Sequence, residues 1–294
     1  MYAEFLRNLD ISPAGIHRVE DIPFLPISAF KHHRVSGVCA ETALYFESSG
    51  TTGVSVSRHE IVDPALYTDS YMRGFERMYG DPAGYCILAL LPSYLERKHS
   101  SLVYMCAGLI RSSGHADSGF YLHDLQALAH ILEKNARLMI PTLLIGVSFA
   151  LLDLAAAFPV QFPELILMET GGMKGRREEI TRAELHAILR QAFGVSNVHS
   201  EYGMTELLSQ AYAKQDGLFQ PAPWMRILIR DAEDPLALVS PGTTGCINVI
   251  DLANIYSCSF IATDDLGKVH YDGRFEVLGR YDTSELRGCN LMVE

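Results

Sequence analysis

Apolar residues recur at helical spacing over 64–78, where Leu66, Tyr67, Tyr71, Phe75 and Met78 share one face, so the pattern predicts a helix there. The continuous apolar run over 85–91 predicts a strand buried on both faces. The alternation continues with helices over 101–110 and 122–134, a strand entered through the β-prone Leu138-Met139-Ile140, and an apolar helix over 149–157. A strand over 165–168, a charged helix over 177–193 and a β-prone stretch at 195–198 follow. Strand and helix in turn predict an α/β sandwich on largely parallel sheets, with ligands beyond the carboxyl ends of the strands. Upstream, 2–9 reads as a helix and 22–27 as an extended lead-in, because Pro23 and Pro26 exclude a helix interior. From Trp224 onward the stretches 225–230, 245–250 and 275–278 read as short strands split by turns at Pro241-Gly242 and Asp272-Gly273. The expected division is α/β subdomains with their lead-in over 1–223 and a smaller β-rich subdomain over 224–294.

One apolar stretch, 138–158, has the length of a membrane span. Pro141, Gly146 and Asp153 interrupt it, and a buried strand, a turn and a buried helix account for it, so no membrane span is expected. At 294 residues, with 48% hydrophobic and 20% charged residues, the chain has the makeup of a soluble globular protein. Its net charge of −11 argues against a nucleic-acid surface and against anionic membranes, and favours a small-molecule partner. Cys39, Cys86, Cys106, Cys246, Cys258 and Cys289 form no CxxC pair, so neither a zinc site nor a disulfide framework is expected. The start Met1-Tyr2-Ala3-Glu4-Phe5 lacks the pattern of a signal peptide, and a cytoplasmic location is expected.

Candidate chemistry concentrates at strand ends. Ser48-Ser49-Gly50-Thr51-Thr52-Gly53 combines small hydroxyl donors with glycine backbone that can approach a ligand closely, which suits a polyphosphate; solvated turns have the same composition. It is not the Walker form, since no Gly-Lys-Ser/Thr follows. Glu169-Thr170-Gly171-Gly172 ends another strand. Ser200-Glu201-Tyr202-Gly203-Met204-Thr205-Glu206 places a ring, a hydroxyl and a carboxylate within five residues, able to stack a base, bond a phosphate and hold Mg²⁺.

Together with Thr263-Asp264-Asp265-Leu266-Gly267 and Gly279-Arg280-Tyr281-Asp282, these stretches resemble, in order, the phosphate loop, the Tyr-Gly-x-Thr-Glu motif, the Thr-Gly-Asp motif and the Gly-Arg-x-Asp hinge of the adenylate-forming (AMP-binding) superfamily. Within it the chain is most similar to LuxE-type acyl-protein synthetases, relatives of the phenylacetate-CoA ligases. That likeness rests on Pro26-Ile27-Ser28-Ala29-Phe30-Lys31, Leu91-Pro92-Ser93-Tyr94-Leu95-Glu96-Arg97, Gly171-Gly172-Met173-Lys174-Gly175 and Arg287-Gly288-Cys289. The resemblance implies the large-domain fold of that superfamily, and ATP and Mg²⁺ as cofactors. It also implies activation of a carboxylic acid, in this family a fatty acid, as acyl-adenylate, with transfer to a thiol. It casts Ser48, Ser49, Gly50, Thr51, Thr52 and Gly53 as the phosphate cradle, Gly171 and Gly172 as the adenine wall and Tyr202 as its stacking partner. Thr205 falls at the α phosphate, Glu206 at Mg²⁺, Asp265 at the ribose hydroxyls and Arg280 nearby.

The sequence also departs from the family pattern. The lysine that commonly closes the loop is absent, Asp264 replaces the middle glycine of Thr-Gly-Asp, and the mobile carboxy-terminal domain of the larger synthetases is expected to be missing. By the same resemblance Cys289 matches the acyl-accepting cysteine, against the plain reading of a thiol near a chain end. CoA and an acyl-accepting partner protein stay open as alternative acceptors, and a nucleotide- or acyl-binding protein without turnover as an alternative function. Ser148 in Gly146-Val147-Ser148-Phe149-Ala150 reads either as a hydrolase nucleophile or, preferably, as a helix N-cap, and His99 as an acyl-pocket or a surface residue.

Overall fold

The computed structural model describes residues 1–39, 41–48, 56–91, 99–122, 124–171 and 180–281. Among them the chain runs α1 (Tyr2–Asn8), β1 (Leu25–Pro26), α2 (Ala29–His32), β2 (Leu44–Glu47), β3 (Arg58–Ile61), α3 (Pro64–Tyr79), β4 (Cys86–Leu90) and α4 (Ser101–Ser113). It continues as β5 (Gly119–Phe120), α5 (Leu125–Leu138), β6 (Thr142–Val147), α6 (Ser148–Ala157), β7 (Ile166–Thr170), α7 (Arg182–Phe193) and β8 (His199–Tyr202). Strands β9 (Ala211–Ala213), β10 (Leu218–Pro221), β11 (Met225–Arg230), β12 (Thr244–Asp251), β13 (Phe260–Val269) and β14 (Phe275–Arg280) complete it.

One sheet runs in the order β11-β12-β13-β14-β10-β9-β8-β7-β6-β4-β5, with β1 alongside β13, while β2 and β3 form a separate hairpin. From β5 to β8 the pairs are parallel, as strand-helix alternation predicts. From β8 to β11 they are antiparallel. β4 and β6 are buried along their whole length, which is why β4 reads as an unbroken apolar run. One core surrounds these strands with Tyr67, Tyr71, Phe75, Leu109, Leu151, Leu189 and Phe193. A second lies against the antiparallel strands, where Leu25, Phe30, Tyr202, Phe219, Ile247, Ile261 and Phe275 meet. The lead-in joins it through Leu25 and Pro26, which pair in parallel with Ile261 and Ala262.

Helix limits follow capping chemistry. The side chains of Asp63, Ser100 and Asp124 accept from backbone N–H groups in the first turns of α3, α4 and α5, and Thr181 with Glu184 forms a capping box on α7. The strand expected from Leu138 instead begins at Thr142. α5 runs on through Leu138, Met139 takes a left-handed turn at φ 53°, and Asn135 Nδ2 donates to Thr142 Oγ1 at 3.0 Å, stitching helix end to strand start. No turn separates β6 from α6. Val147 is the N-cap and Ser148 the first helical residue, so the cap expected at Ser148 lies one position earlier. No helix among the described residues is long and apolar enough to cross a membrane.

Candidate functional site

The β2-β3 hairpin carries the Ser/Thr/Gly loop. Its pairing closes with Ser48 N–H donating to Ser57 O at 3.0 Å and Ser57 N–H donating to Ser48 Oγ at 2.9 Å. Ser48 therefore stands at the loop's base, while Ser49, Gly50, Thr51, Thr52 and Gly53 lie outside the described residues. The hairpin is anchored through Tyr45, whose ring stacks on His99 at 3.9 Å and takes the Arg58 guanidinium at 3.8 Å. His99 thus braces the loop-bearing hairpin.

Ser57, buried at the loop's base, is also near enough to Glu206, the carboxylate expected to meet Mg²⁺, to lower its pKa. Glu206 is 5% exposed. Burial raises its pKa, opposed by the Ser57 bond and by the positive charges of Arg280 and Lys31. The backbone around Glu206 is held by three buried side chains from two places in the chain. His59 on β3 bonds Thr205 O through Nδ1 at 2.9 Å, Asn254 Nδ2 donates to Glu206 O at 2.8 Å, and Asp251 at the end of β12 accepts from Leu208 N–H at 2.8 Å and Ser209 N–H at 2.9 Å. Because a carbonyl only accepts, the proton of His59 sits on Nδ1, and Nε2 accepts the Ser257 hydroxyl at 2.8 Å. Burial holds the imidazole neutral, with its pKa lowered to about 4 against the opposing Thr205 bond.

Tyr202 ends β8. Its hydroxyl donates to Asp265 Oδ2 at 2.8 Å, while its ring meets Phe219 and Phe275 edge-on at 5.9 and 5.5 Å. At 8% exposure little of the ring faces open space. Burial raises the Asp265 pKa, opposed by the Tyr202 bond and by Arg280, whose Nε lies 3.8 Å from Asp265 Oδ1. Asp265 and Arg280 are also register partners across β13 and β14. Tyr202, Asp265 and Arg280, read from three separate stretches, thus form a bonded set, and Arg280 is near enough to Glu206 to lower its pKa, as Ser57 at the base of the fourth stretch also does.

Gly171 follows β7 at φ 68°, and its carbonyl accepts from Ser148 Oγ at 2.8 Å. That commitment, with 3% exposure, leaves Ser148 no access as a hydrolase nucleophile. Beside it Glu169 faces Arg182 Nε and His186 Nε2, each at 3.7 Å. Gly172, Lys174 and Cys289 lie outside the described residues. His59, Asp251, Asn254 and Ser57 were not singled out from the sequence. Each is an isolated polar residue, and only the fold brings it to its partner.

A family model described as acyl-protein synthetase, LuxE, matches residues 110–294. A search of curated proteins finds no match. Among solved structures, ATP-bound MatB from Rhodopseudomonas palustris is 18% identical with a TM-score of 0.59, over 83% of this chain and 49% of that one. O-succinylbenzoate coenzyme A synthetase from Bacillus subtilis, in complex with ATP and magnesium ion, is 18% identical with a TM-score of 0.57, over 83% and 51%. A long-chain-fatty-acid–CoA ligase from Archaeoglobus fulgidus is 15% identical with a TM-score of 0.59, over 85% and 54%. At these identities the likeness is one of fold, and the chain spans about half the length of the solved structures it matches.

Proposed function

The chain belongs to the LuxE acyl-protein synthetase family and has an adenylate-forming fold, and from that premise we propose that it activates a carboxylic acid, a fatty acid by family, at the expense of ATP and passes the acyl group to a thiol. The observation that carries the reading is the bonded set Tyr202, Asp265 and Arg280, with Arg280 and Ser57, whose N–H bonds Ser48 Oγ, both acting on the buried Glu206. Residues 1–223 form the adenylation unit in this reading and 224–294 the β-rich unit that brings Asp265 and Arg280.

A carboxylate oxygen of the acid bonds to the α phosphorus, the bond from that phosphorus to the bridging oxygen breaks, and pyrophosphate leaves. A thiolate then bonds to the acyl carbon and AMP departs. The 48–53 loop cradles the β and γ phosphates, Thr205 meets the α phosphate, Gly171, Gly172 and Tyr202 border the adenine, and Asp265 takes the ribose hydroxyls. Glu206 fits Mg²⁺, being a hard oxygen donor beside a hydroxyl and a phosphate loop, since Mg²⁺ takes one or two carboxylates plus substrate oxygens. Bound there, Mg²⁺ would neutralise charge on the departing pyrophosphate. With the loop lysine absent, Arg280 is a cation among the described residues that this site offers the phosphates, 86% exposed along its side chain and so free to turn from Asp265 to a ligand.

Carboxylate-dependent exchange of pyrophosphate into ATP tests activation, and silence across a broad panel of acids would sink it. Acyl labelling of the protein that disappears in Cys289→Ser supports that thiol as acceptor; labelling that survives removes it. A second reading is release of acyl-CoA, supported by the CoA synthetase and CoA ligase among the similar structures. Thioester on free CoA with no protein adduct selects it, and tight ATP binding without pyrophosphate release selects a binding protein.

A further inference from the structure

β13 carries two residues more than β12 where the strands face each other at the site. Cys246 pairs with Leu266 but Asn248 pairs with Ala262, so Thr263, Asp264 and Asp265 together stand opposite Ile247. A bulge of this kind takes carbonyls out of the ladder and re-aims side chains. Here the side chain it presents is Asp265, bonded by Tyr202.

The freed groups are gathered by one residue two strands away. Arg230, at the end of β11 and 9% exposed, donates from Nη1 to Ile247 O at 3.0 Å and to Asn248 Oδ1 at 2.9 Å, and from Nη2 to Thr263 O at 2.7 Å. Thr263 Oγ1 adds a second bond to Ile247 O at 2.9 Å and accepts from Asp265 N–H at 3.2 Å. A planar fork spans both carbonyls at once, which a lysine ammonium cannot do. All three acceptors are neutral, so among the described residues the guanidinium is buried without a direct carboxylate partner. Burial lowers the Arg230 pKa, opposed by Cys246, by Asp264, which replaces the glycine of the family motif, and by Tyr281.

We propose that Arg230 is a positioning residue of the nucleotide site: it clasps the 263–265 bulge so that Asp265 faces the ribose, and recognition of the ribose hydroxyls depends on it. Arg230 touches neither substrate nor metal; it acts through the bulge. The ribose part of the inference rests on the function proposed above, whereas the clasp does not.

The experiment therefore has two arms, run on the full chain as wild type, Arg230→Lys and Thr263→Val. The lysine keeps the buried charge, and the valine removes both bonds of Thr263 Oγ1, to Ile247 O and from Asp265 N–H, without touching the arginine, so a variant that fails to fold leaves the other to decide. In the first arm, amide hydrogen exchange without nucleotide is followed over 260–268 and over the distant β6. Faster exchange by about tenfold over 260–268, with β6 unchanged, is the size expected for one lost hydrogen bond of average strength. Unchanged exchange over 260–268 overturns the clasp. In the second arm, binding and pyrophosphate exchange compare ATP with 2′-deoxy-ATP and 3′-deoxy-ATP. The wild type should prefer ATP and the variants should lose about tenfold of that preference, with the KM for the acid unmoved. A merely structural role would lower the active fraction and leave the ratio alone, and an unchanged ratio overturns the proposal. A wild type that ignores both ATP and acids refutes the proposed function and with it the ribose role, while the exchange arm still decides the clasp.

Discussion

Replacing Glu201 with glutamine is expected to make the protein's stability less dependent on pH, and the size of the effect follows from where the carboxyl sits. Glu201 lies on β8 between Thr170 of β7 and Tyr212 of β9, its register partners on either side. Thr170 Oγ1 bonds its Oε2 at 2.5 Å, and Tyr212 Oη has no hydrogen-bond partner among the described residues. Burial pushes its pKa from an ordinary 4.5 up to about 7, opposed by the Thr170 bond and reinforced by the charge of Glu169. Folded protein therefore keeps a proton that the unfolded chain gives up between about pH 4.5 and about pH 7. The associated stability is fully present below about pH 4.5 and is lost as the pH rises through about 7. At about 1.36 kcal/mol for each tenfold change in ionisation constant, that loss comes to about 3 kcal/mol. In Glu201→Gln the side-chain amide keeps an acceptor for Thr170 but has nothing to titrate. Urea denaturation of both proteins from about pH 4.5 to about pH 8.5 should show the stability difference moving in the variant's favour by about 3 kcal/mol across the range. A difference that stays flat, or that moves towards the wild type at alkaline pH, would refute the reasoning.

Gly108→Ala sets helix propensity against packing. Alanine favours the helix by about 1 kcal/mol, but its Cβ would stand 1.9 Å from Tyr71 Oη, and Tyr71 is 1% exposed between Tyr67 and Tyr104. Overpacking of about 1–3 kcal/mol or more should win, so thermal denaturation is expected at a lower temperature; a rise in Tm would show that the ring yields freely. His59→Leu leaves the Thr205 carbonyl buried without its donor, at about 1–3 kcal/mol, and should weaken the Mg²⁺ dependence of pyrophosphate exchange, with His59→Asn recovering part of it. Equal Mg²⁺ dependence in all three proteins would separate His59 from the site. Thr51→Val with Thr52→Val should abolish ATP use while leaving the Tm close to that of wild type; retained exchange activity would show that this loop does not hold the phosphates.

Much of the fold was legible because its signals are local. Apolar runs at β4 and β6 and helical spacing over α3 announce themselves, and the cap residues Asp63 and Ser100 mark where helices begin. β13 was not read as a strand, because its pairing is broken where Thr263, Asp264 and Asp265 bulge, and that polar stretch interrupts any alternation. β9 and β10 are three and four residues long, too short for a period to show. The candidate site divides in the same way. Tyr202, Thr205 and Glu206 are close in sequence and legible as one motif, whereas Asp251 meets Ser209 across 42 positions and His59 meets Thr205 across 146. No periodicity encodes such pairs, and a lone histidine between Arg58 and Glu60 carries no mark of its burial.

The His59 link also fixes an order in time. Its imidazole is complete as a brace only when Ser257 is in place, 198 positions later. At the roughly 5–20 residues per second of translation, the hairpin that bears the Ser/Thr/Gly loop leaves the ribosome on the order of 10–40 seconds before its last support is synthesised. During that interval the parallel strands can pair and their helices can dock, but the turn around Glu206 stands without Asn254 and Ser257. A growing chain therefore finishes its parallel scaffold before the turn around Glu206, and hydrogen-exchange protection on stalled ribosomes should appear at β4 and β6 well before it appears at Thr205.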